Sequence, residues 1–424
     1  MEKYIEILKS CGADAWEIQD TKTRGWEFYF IGHRLDQNRA KDVEHINLKV
    51  YKLSEDGQSL GIASAEVSPT DNEETIRKTA ENLVYQASLV KNKPYQLNQP
   101  EEAKLQEAEI KPLAMEAESF IKTMLGIEET GTEYLNSFEI FVNQNEQRLI
   151  TSEGIDITQS YPTSMLDLVV NARKEEHEIE LYRLYHLGSC EPEQIKRDVE
   201  ELLQFGKDRL LAVSTPQLEH TPVLLSTDAA LSVYEYFLSN LDAAYLLRGM
   251  SSYEIGKPIA EDIQGDRITI RSARTLPGSP CNFAYDEEGA VIRDEVLMEE
   301  SVPKKFVGSR KFSQYLGLED SFMVSNWCVS GGRKSADELR TGKFLEIVEF
   351  SDFQVDSMTG DIFGEIRLAY YHDGEGNVTP VSGGSVSGSM LDNIAHLQMS
   401  GETRRYANAE IPSVTRLENV VIAG

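Results

Sequence analysis

Between Tyr134 and His186, apolar and polar side chains alternate along four segments: Tyr134–Asn143, Gln147–Gln159, Ser164–Lys174 and Glu178–His186. Alternation with period two sends successive side chains to opposite faces of a strand, so this region reads as antiparallel sheet with one covered face. A helix from Leu113 to Leu125 precedes the strands, and one from Glu191 to Leu211 follows them. The same style occurs earlier. A short helix, Met1 to Ser10, leads into Ala15–Gln19, Trp26–Gly32, His45–Leu53 and Leu60–Val67, with Ile46, Leu48 and Val50 on one face. Asp71 and Asn72 then open a helix from about Glu73 to Lys91, with Ile76, Ala80, Leu83, Ala87 and Leu89 inward. Lys93 to Pro112, polar and interrupted by proline, reads as a linker.

From Ser214 onward the pattern becomes many short strands broken by glycine: Arg267–Ile270, Ala290–Met298, Phe322–Val329, Phe344–Val355, Glu365–Tyr371 and Asn419–Ile422. The expected fold class is therefore α+β. Two helix–antiparallel-sheet units, residues 1–105 and 106–213, precede a larger, mostly antiparallel β domain with a few helices over residues 214–424.

The formal net charge is -29. A surface this acidic repels phosphate backbones, which argues against nucleic acid as a partner. The densest basic run, Pro303-Lys304-Lys305 with Arg310 and Lys311, is short. No apolar run approaches the ~20 residues of a membrane span. Acids occupy the first residues, where a signal peptide needs an apolar core. Cys11, Cys190, Cys281 and Cys328 form no CxxC pair, which fits a reducing compartment. The cytoplasm is the expected location.

One segment carries the candidate chemistry. Ser226 to Tyr245 reads as a buried helix, with Ser226, Thr227 or Asp228 available as its cap. Ala230, Tyr234, Phe237, Leu241 and Ala244 recur at helical spacing, and Leu231, Leu238 and Tyr245 widen the stripe. Glu235 stands among them, where a charge must reach solvent or find a partner. The glycine-rich stretch Val381 to Ser389 lacks both phosphate-loop patterns and reads as a turn into a helix over Met390–Met399. Asp356 to Asp361 reads as a tight turn with Gly360 at positive φ, and Asp286 to Gly289 as a hairpin turn. No two histidines share an HxH or HxxxH spacing; His186 and Cys190, four apart, are the nearest approach to a metal-sharing pair.

Three segments together resemble the TldD/PmbA family, in its PmbA (TldE) branch, whose members have been labelled modulators of DNA gyrase. One is the terminal cassette of Asp356-Ser-Met-Thr359-Gly360-Asp361, Gly376-Asn-Val-Thr-Pro380, Gly388-Ser-Met-Leu391-Asp-Asn393, Pro412-Ser413 and Val421 to Gly424. The others are Asn282 to Gly289 and the arrangement from Arg24 through Ala63 followed by the helix at Glu73.

The resemblance implies a heteromeric peptidase. Its TldD-type subunit carries H-E-x-x-x-H on a carboxy-terminal helix, with a thiolate completing a zinc site. Laid on that motif, Tyr234 and Ser239 stand at the histidine positions and Glu235 at the glutamate. Zinc takes imidazole, thiolate or carboxylate, so Tyr234 and Ser239 are not ligands, and Glu235 has no zinc-bound water to deprotonate. Cys328 is not assigned the thiolate role. The resemblance thus implies a chain without its own zinc, the metal being expected only in a TldD-type partner, or else a chain that pairs with itself. Unfolded peptide, held as an added strand, is the implied substrate. Thr359, Gly360, Asp361 and Asn393 are the candidate peptide- or partner-binding motif. Two other readings stay open here: a self-sufficient peptidase using His186, Cys190 or His220, and a peptide-binding homodimer acting on a DNA enzyme through protein contacts.

Overall fold

The computed structural model describes residues 1–103, 110–218, 221–318 and 321–424. The expected domain boundary at residues 105 and 106, and His220, lie outside the described residues.

The amino-terminal half begins with α1 (Glu2–Ser10), three long strands β1 (Ala15–Ile31), β2 (Arg34–Leu53) and β3 (Leu60–Val67), and α2 (Glu73–Leu89). It continues with α3 (Leu113–Leu125), β4 (Glu133–Thr151), β5 (Asp156–Lys174), β6 (His177–Leu187) and α4 (Pro192–Leu211). The two expected units share one six-stranded antiparallel sheet, ordered β3-β2-β1-β4-β5-β6. The join is β1 against β4, in register from Glu17↔Thr151 to Ile31↔Ser137. Alternation correctly located these strands but broke them too often. Thr21 to Gly25 carry no apolar signal, yet they pair with β2 on one side and β4 on the other, and ladder bonds need only backbone. The expected strand over Gln147–Gln159 is instead the end of β4, a turn, and the start of β5.

Helices cover one face of this sheet. Asn72 caps α2 by accepting from the Thr75 amide at 2.9 Å, and Ile76, Ala80, Leu83 and Ala87 are buried against β2 and β3. Leu89, expected inward, is 64% exposed: two residues on from buried Ala87, it is turned about 200° around the helix from the buried face. Ile195, Val199, Leu202 and Leu203 of α4 pack with α3 and β4–β6 in a second core. That core also takes in Val348 and Leu368 from the carboxy-terminal half, so α4 lies between the two halves of the chain.

The carboxy-terminal half carries β7 (Val213–Ser214), β8 (Val223–Leu225), α5 (Ala230–Ser239), α6 (Ala243–Leu247), β9 (Ile270–Ala273), β10 (Glu295–Glu299) and β11 (Val302–Pro303). After α7 (Arg310–Tyr315) come β12 (Asn326–Val329), α8 (Ala336–Leu339), β13 (Lys343–Val355), β14 (Asp361–Asp373), β15 (Val378–Ser382) and β16 (Ser385–Ser389). The chain closes with α9 (Met390–Asn393), β17 (Gln398–Met399), β18 (Thr403–Tyr406), β19 (Ala409–Pro412), β20 (Thr415–Leu417) and β21 (Val420–Ala423). One sheet runs β11-β10-β9-β12-β19-β18 and the other β17-β20-β8-β13-β14-β15-β7, with β16 bridging β14 to β21. Pairing is antiparallel except β12 with β19, β8 with β13, and β7 with β15. The molecule is α+β and mostly sheet. Among the described residues no helix is long and apolar enough to cross a membrane.

Two further expectations are corrected. The glycine-rich stretch is a turn between β15 and β16, with Gly383 and Gly384 both at positive φ, and the helix after it is a single turn, α9. The Lys93–Pro112 connector is not loose over its described first part. Tyr285 accepts from the Ala103 amide at 2.9 Å and donates to the Glu101 carbonyl at 3.1 Å, and Gln314 exchanges two bonds with the Gln96 backbone at 2.8 and 2.9 Å.

Candidate functional site

The Ser226–Tyr245 segment folds as two helices. α5 stops at Ser239, and Asp242 opens α6 by accepting from the amides of Ala244 (2.7 Å) and Tyr245 (3.3 Å). The expected caps are used elsewhere. Thr227 donates to the Val348 carbonyl at 3.2 Å, and Asp228 faces Arg183, so α5 begins without a side-chain cap. Ala230, Tyr234, Phe237 and Leu241 are buried as the periodicity requires.

Tyr234 is fully buried, and its hydroxyl lies 2.7 Å from Oγ1 of Thr415 on β20. Burial lifts the phenol well above its usual pKa, so it is a neutral hydrogen-bonding group. Glu235, one residue on, points to solvent, although the surrounding protein still raises its carboxyl through desolvation. Ser239 is half-buried at the end of the helix. Successive residues differ by about 100° around a helix, so Tyr234 faces the core while Glu235 does not.

A zinc ion of the kind implied by the resemblance does not fit this corner. Tyr234 is committed to Thr415, and Ser239 offers only a hydroxyl. Cys328, on β12, is half-buried with its thiol pushed up to about 11 by burial and by Glu410, so it is not a thiolate at neutral pH. Among the described residues no group of three or more His, Cys, Asp or Glu side chains is placed to hold a metal. His186 and Cys190 do not combine either. His186 is exposed on β6, whereas Cys190 is buried in the α3–α4 core with its thiol raised by desolvation.

The terminal cassette lies against the same helix. Asp356 accepts from the amides of Met358 (2.9 Å) and Thr359 (2.7 Å), which holds its carboxyl below the usual range. Thr359 donates to Asp361 at 2.9 Å. Gly360 sits at φ +78°, where a Cβ would come 3.4 Å from the Tyr236 ring of α5. Asn240, just past α5, donates to the Ser357 carbonyl at 2.9 Å. The Asn393 side-chain amide donates to the carbonyls of Ser389 (2.8 Å) and Asn419 (2.9 Å) and accepts from the backbone amides of Glu418 (3.1 Å) and Asn419 (2.9 Å). That bonding makes Asn393 a clamp between α9 and the turn joining β20 to β21, with Thr359 and Asp361 left exposed. Asp286 likewise organises the expected hairpin turn, accepting from the amides of Glu288, Ala290 and Met323, each at 2.9 Å.

Sequence reading passed over a charged cluster where the two halves meet. Arg183 of β6 makes two 3.0 Å bonds to Asp228 and a third to Glu349 of β13. Burial outweighs the attraction of Arg183 and pushes Glu349 up to about 7. One signal was present: Leu181, Arg183, Tyr185 and Leu187 share the inward phase of β6, and an arginine in that phase needs buried partners.

Residues 218–424 match the family of the PmbA/TldA metallopeptidase C-terminal domain. A metalloprotease of Methanothermobacter thermautotrophicus is 29% identical over 233 residues, 50% of this chain and 50% of that protein. A metalloprotease TldD homolog of Buchnera aphidicola is 23% identical over 199 residues, 43% of this chain and 40% of that protein. The chain thus matches half or less of the length of these curated relatives. In fold it is similar to TldE from Thermococcus kodakarensis, with TM-score 0.81 at 17% identity over 100% of both chains. It is also similar to a protein of Thermotoga maritima described as a modulator of a DNA gyrase, with TM-score 0.78 at 18% identity over 100% of this chain and 99% of that one.

Proposed function

The carboxy-terminal half of this chain, residues 218–424, belongs to the TldD/PmbA family, and on that premise we propose that the chain is a PmbA-type, non-catalytic subunit of a peptidase that processes unfolded or modified peptides. The observation that carries this reading is the Tyr234–Thr415 hydrogen bond. On the resemblance, Tyr234 corresponds to the family's first metal-binding imidazole, and a buried, neutral phenol bonded to Thr415 supports the reading of a subunit without its own metal. Glu235 would hold the glutamate position on the resemblance, but the described side chains do not form a set that would hold a Lewis acid, and a carboxylate alone supplies little toward amide hydrolysis. Zinc and its activated water then belong to a TldD-type partner. This chain contributes binding surface, with the turn at Thr359–Asp361 beside α5 as a contact region. A net charge of -29 supports protein rather than nucleic-acid partners.

The test is metal analysis and a peptidase assay on the purified chain, alone and mixed with a TldD-type subunit. The expected result is less than stoichiometric zinc and no cleavage alone, with a stable mixed complex that cleaves unfolded peptide. Chelator-sensitive cleavage by the isolated chain would overturn the reading.

A further inference from the structure

The loop at 264–266, the turn at 332–334 and the stretch 396–398 meet around an open cavity of about 740 Å³ in the carboxy-terminal half. Backbone bonds hold these segments together. The Gln264 and Gly265 amides both donate to the Ala395 carbonyl, at 2.8 and 3.0 Å, and the Asp266 amide donates to Leu397 at 2.8 Å. The Gly332 amide donates to Ser400 at 2.9 Å, and that of Gly401 to Lys334 at 2.7 Å. The approach leaves no room for a Cβ: one on Gly265 would strike the Leu397 carbonyl, and one on Gly332 the Met399 carbonyl. The walls are therefore set before any ligand arrives.

Two carboxylates and two cations line this cavity, and their pairing is uneven. Asp266, buried on the floor, accepts from the Met399 amide at 2.9 Å and from Nε of Arg333 at 3.4 Å. Glu418 accepts from Arg416 at 2.8 Å and from Gln398 at 3.3 Å. Both acids are thus already matched. The cations are not. Lys334 donates to the Gln398 side-chain oxygen at 2.7 Å and has no carboxylate at ion-pair distance among the described residues. Arg333 commits one of its five N–H groups, and its side chain is 82% exposed. His396, half-buried in the wall, has a ring without a hydrogen-bond partner among the described residues.

In a chain of net charge -29, unmatched cations collected in one cavity provide what an anion requires. Among the described residues no aromatic or aliphatic side chain lines the space, so a nucleobase would find nothing to stack on and an apolar ligand nothing to bury against. Gln264 and Asn419 present exposed amides at its rim, able to meet hydroxyl groups.

We propose that this cavity binds a small hydroxylated phosphate monoester of the sugar-phosphate class, with the phosphate on Arg333, Lys334 and His396 and the hydroxyls on Gln264 and Asn419. A monoester carries about -1.5 to -2 charges at pH 7, which answers the two cations. The guanidinium adds a planar fork suited to phosphate oxygens. This site goes beyond the subunit reading and does not depend on it, since none of its residues lies on α5 or on the Thr359–Asp361 turn.

The test is isothermal titration calorimetry of the full chain with glucose 6-phosphate at low ionic strength, with glucose and inorganic phosphate as separate arms. Saturable binding of glucose 6-phosphate is expected, at least tenfold tighter than that of glucose or of inorganic phosphate. Arg333→Gln and Lys334→Gln, both at exposed positions, should fold normally and each weaken binding about tenfold, the value of one charged hydrogen bond. Lys207→Gln, at an exposed lysine of α4 outside the cavity, should leave it unchanged. Absence of saturable binding, equal affinity for glucose or inorganic phosphate, or equal losses in Lys207→Gln and the cavity variants overturns the site. Each of those results leaves the non-catalytic reading intact, and cleavage by the isolated chain would sink that reading while leaving these affinities standing.

Discussion

Arg183 and Asp228 meet through two 3.0 Å hydrogen bonds, one residue on the edge strand of the first sheet and the other at the entrance to α5. This contact ties the amino-terminal sheet to α5, the helix of Tyr234 and Glu235. Glu349 completes the cluster from β13, so three elements share one guanidinium.

Arg183→Met should destabilise the folded chain by about 3 kcal/mol, the effect of leaving the buried Glu349 carboxyl without its cation, while the half-exposed Asp228 keeps part of its hydration. Denaturant unfolding measures it. A change within ~0.5 kcal/mol would show that the cluster is solvated in solution.

Glu349 has a folded pKa raised from the ordinary 4.5 to about 7. The folded state holds a proton that the unfolded chain releases, so the associated stability is full below about pH 4.5 and is lost as pH rises through 7. By linkage the loss reaches at most ~3 kcal/mol. Glu349→Gln should remove this slope, so the difference in stability between parent and variant should vary across pH 4.5 to 7. A constant difference contradicts the assignment.

Placing imidazoles at the two candidate positions with Tyr234→His and Ser239→His should not create a zinc site. Residues five apart are turned about 140° from each other around a helix, so the two imidazoles would not converge on one ion, and the variant gives up the Thr415 bond at a cost of about 1–3 kcal/mol. Metal analysis after zinc loading and desalting is the measurement; a full equivalent retained would contradict it.

Tyr285→Phe removes the hydroxyl that bridges Ala103 and Glu101. The expected result is faster limited proteolysis between residues 93 and 103, with a local loss of about 1–2 kcal/mol. Unchanged cleavage kinetics would mean that other contacts hold it.

Asn393→Ala deletes four hydrogen bonds to backbone groups and should cost about 2–4 kcal/mol. Thr359→Ala, on the exposed turn, should fold normally and affect only partner binding. Equal melting temperatures for Asn393→Ala and the parent would remove the clamp assignment.

The sequence by itself determined what depends on local periodicity and local chemistry. Ile46, Leu48 and Val50 announced one buried strand face, Ile76 to Ala87 one buried helix face, and Gly360 and Gly289 their positive-φ turns. It also carried an order of motifs that resembles the TldD/PmbA family. Tertiary structure decided what depends on partners far along the chain. Thr21 to Gly25 became strand because β2 and β4 flank them, and Asp228, a candidate cap, pairs with Arg183 instead. The junction of β1 with β4 and the meeting of β6 with β18 around one cavity join residues more than a hundred apart. Side-chain alternation says which face of a strand is apolar. It does not say which strand lies alongside, because ladder bonds are made by backbone groups common to every residue but proline.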